Sequence, residues 1–291
     1  MTPEIFFHIL LHTLGDFIKL LPFLFLSYLF MEWMEHRMGD KARTVIGRAG
    51  KFGPLLGGVL GAVPQCGFSG AAAGLYAGRV ISLGTLFAVF LSTSDEMLPV
   101  AVSHLSDGSV TVWFILRVLG VKALIGILVG FLIDLIFRKK DTHTHAIGQF
   151  CHDHACGCEG GIFPSAVKHT AEVGLFILAV SFALDLVVHT VGEEALAAFL
   201  SSRGVLTCLL TPLVGLIPNC ASSVVITELY ISGALSVGAF YGGLLTGAGV
   251  GVLILFRTNK NWRENLLITL SLYGMGAVLG LLIDGLHLLF A

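Results

Sequence analysis

Long apolar runs alternate with short polar segments along most of the chain. The main apolar runs cover residues 20–30, 83–91, 124–137, 173–188 and 266–282. With their flanks, they are long enough for helices that cross the roughly 30 Å hydrocarbon layer of a bilayer. A backbone in lipid must satisfy its own hydrogen bonds, and these runs lack the polar–apolar alternation of barrel strands. The pattern therefore predicts an all-α, polytopic membrane protein.

Two stretches of the chain repeat one sequence pattern. Residues 55–91 align with residues 209–245 without a gap, and Pro64-Gln65-Cys66 falls on Pro218-Asn219-Cys220. Both copies share the pattern Pro-x-Cys-x-x-Ser, which apolar composition alone does not explain. A repeat at a fixed offset indicates a duplicated architecture.

The duplication predicts how the chain is organised. We expect a first membrane repeat at residues 1–140, a linker at 141–166 and a second membrane repeat at 167–291. Since inverted repeats with interrupted helices place binding sites near the bilayer midplane, this organisation is typical of transporters.

Each repeat contains a short apolar segment that is poor in helix-forming residues. Residues 53–78 hold several glycines and Pro64. Proline removes a backbone hydrogen bond inside a helix, and each glycine costs about 1 kcal/mol relative to alanine. This composition predicts two half-helices that meet at a non-helical turn, residues 65–69. We expect residues 207–233 to be interrupted in the same way.

The basic residues predict the orientation of the spans. Most of them lie in a few groups: Arg37, Lys41, Arg43, Arg48, Lys51, Arg79, Arg138, Lys139, Lys140, Lys168, Arg257, Lys260 and Arg263. The positive-inside rule places all these groups in the cytoplasm only if residues 53–78 enter and leave the membrane on one side. Each repeat then crosses an odd number of times, so the second copy is inverted. This predicts about ten transmembrane segments, with both termini outside and the linker cytoplasmic.

Composition agrees with a membrane location and excludes other classes. Hydrophobic residues make up 55% of the chain and charged residues 12%, against about 25% charged in soluble domains. The net charge is −2 and no basic stripe with interleaved aromatics occurs, so nucleic acid is not an expected partner. No phosphate-binding Gly-x-x-x-x-Gly-Lys sequence occurs, which argues against direct coupling to ATP.

The paired motifs resemble those of a family of ten-span heavy-metal exporters. The resemblance is carried by Pro64-Gln-Cys66-Gly-Phe-Ser69, by Pro218-Asn-Cys220-Ala-Ser-Ser223 and by the stretch from Leu91 to Pro99. That family is related to the organoarsenical permeases and is sometimes labelled as manganese transporters. The resemblance implies a ten-helix transporter of metal or metalloid species. It also implies a functional cysteine at Cys66 and Cys220, since the metalloid permeases use one at a comparable place.

Cys66 and Cys220 are the first candidate ligands, because thiolates bind soft metal ions and metalloids well. Two thiols from opposed repeats could converge on one ion; the alternative is that each is a small apolar core residue. Polar neighbours in both motifs could supply further oxygen ligands or cap the half-helices, and the two roles are compatible. These neighbours are Gln65, Ser69, Asn219 and Ser223.

A second candidate site lies inside the apolar stretch 80–102, where Ser94, Asp95 and Glu96 follow one another. Ionisable residues at membrane depth usually face a cavity and bind ions or carry protons. The hydroxyl residues and Pro99 predict an unwound turn here, which would let both acids reach one ion. The alternative is that the acids lie at the outer mouth of a short helix.

Other charged residues are weaker candidates. Asp185 lies deep in an apolar run, where it could couple transport to protons or make a structural hydrogen bond. Arg117 and Lys122 are expected to flank a helix and to pair with Asp95, Glu96 or Asp107. Asp134 and Asp284 correspond across the repeats but lie near helix ends, where we expect them to be solvated.

The linker is rich in nitrogen and sulfur ligands. It contains His143, His145, Cys151, His152, His154, Cys156 and Cys158. This composition indicates a transition-metal ion of the zinc or copper class, although the spacing matches no standard zinc finger. We expect a flexible sensor or metal-delivery arm and no tightly bound cofactor elsewhere; the alternative is a polar linker without a metal.

These features together predict a secondary-active transporter that exports a metal cation and is coupled to protons. A permease for arsenical or metalloid species and an ion channel are the alternatives, and no metalloprotease-type ligand helix points to an enzyme. The expected partners are the lipid bilayer and the metal or metalloid ion, with a homodimer left open. The expected location is a bacterial-type inner (plasma) membrane.

Overall fold

The structure is a computed structural model. It describes residues 52–63, 66–94, 97–105, 108–137, 162–191, 200, 205–218 and 220–286, together with scattered positions between 7 and 33. All secondary structure in the described residues is helical, including the positions between 7 and 33. The predicted all-α class is therefore confirmed for these residues.

Eleven helices have defined bounds in the described part of the chain. They are α1 (Gly53–Gly61), α2 (Cys66–Ala77), α3 (Leu83–Ser92), α4 (Met97–Ser103), α5 (Val112–Phe137), α6 (Ile162–Val191), α7 (Val205–Gly215), α8 (Cys220–Ile231), α9 (Val237–Thr246), α10 (Val250–Thr258) and α11 (Trp262–Gly285).

Within the described residues, five stretches are long and apolar enough to cross a membrane: Leu83–Ser103, Val112–Phe137, Ala166–Ala183, Val237–Thr258 and Trp262–Gly285. Two of them, Leu83–Ser103 and Val237–Thr258, are mostly buried inside the protein, whereas the other three expose much of their apolar surface. The buried pair therefore forms the centre of the bundle. The total of ten segments and the inverted orientation stay predictions.

Both Pro-x-Cys motifs interrupt a helix, as predicted. Helix α1 ends at Gly61 and α2 begins at Cys66, while α7 ends at Gly215 and α8 begins at Cys220. The predicted extent of the first turn, residues 65–69, is wrong, because residues 66–69 form the first turn of α2. Proline disturbs the helical turn that precedes it but is tolerated at a helix start, so the interruption lies before the cysteine.

The two buried spans are interrupted as well. Helix α3 ends at Ser92 and α4 begins at Met97, which confirms an unwound stretch here. In the second half, α9 ends at Thr246 and α10 begins at Val250. Gly249 has a φ of 52°, a left-handed conformation that glycine adopts without the strain that a Cβ would cause.

A long helix in the first half packs closely against a buried span. A Cβ atom added to Gly84 of α3 would lie 2.1 Å from the carbonyl oxygen of Gly130 on α5. One turn later on α5, Asp134 Oδ1 accepts a hydrogen bond from the Gly84 N–H (2.9 Å) and Oδ2 accepts one from the Ser82 hydroxyl (2.7 Å). Ser82 Oγ in turn accepts from the N–H of Thr85, so it is the N-cap of α3.

The second half contains the same set of contacts. A Cβ atom on Gly238 of α9 would lie 2.1 Å from the carbonyl oxygen of Gly280 on α11. Asp284 accepts from the Gly238 N–H (2.6 Å) and from the hydroxyl of Ser236, the N-cap of α9 (2.5 Å). The expectation that Asp134 and Asp284 are merely solvated is wrong, because both carboxylates cap a neighbouring helix.

Helices from the two halves also pack against each other. Helix α2, which follows the first motif, packs on α10, and a Cβ atom on Gly251 of α10 would lie 2.9 Å from Cβ of Ser69. Helix α8, which follows the second motif, packs on α4. Each motif helix is therefore held by the buried span of the opposite half.

Candidate functional site

The interrupted helices end close to one another. A Cβ atom on Gly61, the last residue of α1, would lie 2.1 Å from Oγ of Ser92, the last residue of α3. In the second half, a Cβ atom on Gly215 would lie 2.5 Å from Oγ1 of Thr246, and these residues end α7 and α9. The C-terminal ends of two helices therefore meet in each half.

Lys122 joins these ends across the two halves. Its Nζ donates a 2.8 Å hydrogen bond to the carbonyl oxygen of Leu244 near the end of α9, and another to the carbonyl oxygen of Thr93, the residue after α3. The side chain is 1% exposed, although lysine is almost never fully buried in proteins. The expectation that Arg117 and Lys122 flank a helix is wrong, because both lie within α5, and Lys122 points into the bundle centre. We call Lys122, Thr93 and Leu244 the central lysine site.

Buried hydroxyl groups surround this site. The last carbonyls of a helix have no partner within the helix. Ser92 Oγ donates to the carbonyl oxygen of Ala88 and Thr93 Oγ1 to that of Val89, both at 2.7 Å. Thr246 Oγ1 lies 2.9 Å from the carbonyl oxygen of Pro212, on the neighbouring helix α7. These hydroxyls bring additional oxygen atoms to the junction of the helix ends.

The electrostatics of the central lysine site favour a positive charge. Helix C-terminal ends carry partial negative charge, and carbonyl oxygens can only accept hydrogen bonds or coordinate cations. A buried ammonium is stable only if such partners replace water. The carbonyl oxygens of Thr93 and Leu244 are two of these partners, and they come from different halves of the chain.

The structure describes three of the predicted site residues with their side chains. Ser69 is fully buried where α2 meets α10, and Ser94 is buried with its hydroxyl 3.3 Å from the carbonyl oxygen of Ser92. Ser223 is partly buried in α8, and its carbonyl oxygen accepts from the Thr227 hydroxyl (2.7 Å). Of these three, Ser94 directly follows Thr93 of the central lysine site.

The remaining predicted site residues lie outside what the structure describes. Among the membrane candidates these are Gln65, Asp95, Glu96 and Asn219, and the side chains of Cys66, Asp185 and Cys220. All seven linker candidates are outside as well: His143, His145, Cys151, His152, His154, Cys156 and Cys158. Within the described residues, no group of three or more His, Cys, Asp or Glu side chains could hold a metal ion.

One described cysteine was not predicted as part of a site. The Cys208 thiol on α7 donates to Asp284 Oδ2 at 3.0 Å and lies 4.0 Å from Ser236 Oγ. It therefore adds a third donor to the carboxylate that caps α9. In the alignment of the two repeats Pro54 occupies the corresponding position, so this contact has no counterpart in the first half.

An ion pair joins the two halves at one end of the bundle. Arg79, in the turn between α2 and α3, binds both carboxylate oxygens of Glu264 on α11, at 2.7 and 2.8 Å. The Tyr76 hydroxyl donates to the same carboxylate, and the guanidinium lies over the Tyr76 ring. Hydrogen bonding to Glu264 raises the pKa of Arg79 above its ordinary value, so the guanidinium stays charged.

A different contact between the halves lies at the opposite end. His104 Nε2 lies 3.1 Å from a carboxylate oxygen of Glu228 on α8. Since Leu83–Ser103 is long enough to cross the membrane, His104 and the Arg79 turn lie at opposite ends of that span. Beside this pair, Tyr230 stacks on Phe240 and on Phe114, with centroids 4.2 and 5.7 Å apart.

Residues 124–250 match the model of a family described as "Putative, 10TM heavy-metal exporter". The match covers less than half of the chain and includes the second Pro-x-Cys motif, Leu244 and the linker. The resemblance inferred from the motifs is thereby confirmed for this part. No curated protein and no solved structure matches the chain. The match and the apolar helices show a multi-pass membrane protein with a transporter role.

Proposed function

We propose that the chain is a secondary-active exporter that moves a metal cation across the membrane, driven by protons. The observation that carries this proposal is the central lysine site, where helix ends from both halves meet around a buried positive charge. Non-helical backbone inside a membrane bundle is tolerated where it lines a site or cavity. The family match supplies the class of substrate, a heavy metal.

The positions of the predicted ligands support a cation site at this junction. Asp95 and Glu96 follow Thr93 and Ser94 directly in the chain, between α3 and α4. Carboxylates next to helix C-terminal ends would add full negative charge to partial negative charge. We propose that these acids bind the cation and exchange it for protons, with Asp185 as a second proton carrier.

The motif cysteines would complete the ligand set. Cys66 and Cys220 are the first residues of α2 and α8. A helix N-terminus stabilises a thiolate, which is the form that binds soft metals. This placement also supports an arsenical or metalloid permease as the second candidate, since trivalent arsenic binds thiols. Growth of an expressing strain on metals and on arsenicals distinguishes the two.

We propose that the two contacts between the halves, Arg79–Glu264 and His104–Glu228, open alternately. In an inverted repeat, equivalent contacts lie at opposite ends of the molecule, and alternating access moves one repeat against the other. Opening the Arg79–Glu264 pair would admit the ion from one side, and opening the His104–Glu228 pair would release it on the other. Both contacts are formed in the structure, so under this proposal it would represent an occluded state.

The topology and the linker remain parts of the proposal. We place the protein in a bacterial-type inner membrane, with both termini outside and the linker at 141–166 in the cytoplasm. There, reduced thiols and histidines of the linker would bind a zinc-class ion and deliver or sense the exported metal.

The proposal is tested by metal efflux in cells and in everted vesicles. A metal-sensitive strain that expresses the protein is grown on a panel of zinc, cadmium, copper, manganese and arsenicals. Uptake into everted vesicles is then measured with and without a proton gradient. We expect saturable, gradient-dependent uptake of one or a few metals; uptake that is linear in concentration and independent of pH would indicate a channel.

Variants locate the site in the same assay. Asp95→Asn, Glu96→Gln and Cys66→Ala should each reduce uptake at least about tenfold, the effect of losing one charge-assisted contact. Cys208→Ala is the matched cysteine control, because that thiol contacts Asp284 and not the central lysine site. If all three variants transport like wild type, the proposed site is wrong even if the protein is an exporter.

A further inference from the structure

The Lys122 ammonium occupies backbone carbonyl oxygens that could themselves hold a cation. The carbonyl oxygens of Thr93 and Leu244 accept from Nζ at the ends of α3 and α9. No other lysine of the described residues is fully buried. The ammonium is also the positive charge that the structure itself places where helix ends of both halves meet.

We propose that Lys122 is a tethered substitute for the transported cation. Its ammonium fills a cation-binding site made by the carbonyl oxygens of Thr93 and Leu244 when the carrier is empty, and the substrate cation displaces it. The displacement step rests on the proposed function, whereas the existence of a cation site at these two oxygens does not.

The physical reason is the cost of an empty site. Two buried carbonyl oxygens without a partner are unfavourable in a dry interior, and each would otherwise need water or an ion. A carrier that must close and reorient without substrate therefore needs a positive charge to replace the cation. Lys122 supplies this charge from α5 and bridges α3 and α9 at the same time.

This role predicts that loss of the Lys122 ammonium affects net efflux and ion exchange differently. Net efflux requires the empty carrier to return, whereas exchange of one substrate ion for another does not. Without the ammonium, the return of the empty carrier becomes slow while exchange continues. A lysine that merely stabilises the fold would instead reduce both processes together.

The first experiment tests the site without any transport assay. Purified Lys122→Ala protein is unfolded thermally in detergent over a series of methylammonium concentrations. We expect methylammonium to raise the Tm of Lys122→Ala saturably by several degrees, because its N–H groups replace those of the lysine. Tetramethylammonium, which has no N–H group, should have no effect. Wild type and Arg117→Ala, an exposed position on the same helix, should not respond to either cation.

A second variant, Lys122→Met, and the expression yield make the test conclusive even if Lys122→Ala is unstable. Methionine fills the lysine volume without a donor, so methylammonium should not rescue it. If Lys122→Ala does not fold, methylammonium in the growth medium should restore its yield but not that of Lys122→Met. Absence of a saturable difference between methylammonium and tetramethylammonium, or equal rescue of the Met variant, overturns the proposal.

The second experiment measures zinc flux in proteoliposomes that contain the full chain. For Lys122→Ala we expect net zinc efflux to fall about tenfold to a hundredfold, the factor for one charge-assisted hydrogen bond, while exchange of radioactive zinc for zinc stays within about twofold of wild type. Equal loss of both overturns the coupling role. If wild type moves no zinc but methylammonium stabilises Lys122→Ala, the cation site is supported and zinc export is refuted. If wild type moves zinc but methylammonium has no effect, zinc export is supported and the cation site is refuted.

Discussion

Asp134 accepts a hydrogen bond from the backbone N–H of Gly84, with 2.9 Å between oxygen and nitrogen. Asp284 and Gly238 repeat this contact in the second half at 2.6 Å. In both halves the same carboxylate also binds the serine that caps the contacted helix. A long outer helix thereby fixes the start of α3 and of α9, and the other ends of these two helices lie at the central lysine site.

We predict that Asp134→Ala and Asp284→Ala destabilise the protein by similar amounts. Each substitution leaves a serine hydroxyl and a backbone N–H without their carboxylate, and a hydrogen bond to a charged group contributes about 1.5–3 kcal/mol. Thermal unfolding of the purified variants in detergent measures the effect. Glu172→Ala, at an exposed position of α6, is the control and should unfold like wild type. Wild-type stability of either Asp variant would show that the cap contributes nothing.

Alanine should be poorly tolerated where the glycines of facing helices touch. At Gly84 and Gly238 a Cβ atom would lie 2.1 Å from a backbone oxygen of the opposite helix, so the helices must move apart. Overpacking of this kind costs about 1–3 kcal/mol. We expect Gly84→Ala and Gly238→Ala to lower the free energy of unfolding by the upper part of this range.

Two other glycines serve as matched controls for that prediction. Gly120 lies on α5 and Gly274 on α11, and a Cβ atom at either would meet nothing within 4 Å. Alanine there should stabilise the helix by up to about 1 kcal/mol. Equal effects of all four substitutions on unfolding would refute close packing between the helices.

The Arg79–Glu264 pair should couple the two halves measurably. Arg79 is 40% and Glu264 21% exposed, so solvent screening keeps the expected coupling near 1 kcal/mol despite the two-pronged geometry. A double-mutant cycle with Arg79→Gln and Glu264→Gln measures it. Arg79→Lys keeps the charge but not the planar fork, and should lose part of the coupling. If the effects of the two single substitutions on the free energy of unfolding are strictly additive, the pair does not couple the two halves.

The interruptions of the helices were predictable from local sequence. Proline and glycine weaken the interior of a helix, so Pro64 and Pro218 indicate both motif breaks. The pattern Gly-x-x-x-Gly-x-x-x-Asp could also have been found, since it ends at Asp134 and again at Asp284. Such small-residue stripes are typical of helices that pack closely in membranes. Their repetition marks the helix that packs on each buried span.

The position of Lys122 was not predictable in this way. It stands in a long apolar helix whose sequence favours exposure of a lysine to solvent or to the membrane surface. Its partners lie 29 and 122 residues away in the chain, and they are backbone carbonyls, which every residue has. No local sequence pattern indicates that two helices end beside Lys122. Only the packing of both halves brings these oxygens together.

The inverted orientation predicts which loops share a side of the membrane. Each buried span has 21 or 22 residues, and a helix rises about 1.5 Å per residue, so its two ends must lie on opposite sides. The turn at Arg79 precedes the first span and Lys260 follows the second. Ser109 follows the first span and Ser232 precedes the second.

Single cysteines introduced at these exposed positions test the orientation. In a variant without native cysteines, a membrane-impermeant maleimide should label Ser109→Cys and Ser232→Cys from outside. It should label Arg79→Cys and Lys260→Cys only in everted vesicles, because the positive-inside rule places these loops in the cytoplasm. If Ser109→Cys and Lys260→Cys react from the same side, the two halves run parallel. The Arg79–Glu264 and His104–Glu228 contacts could not then open alternately.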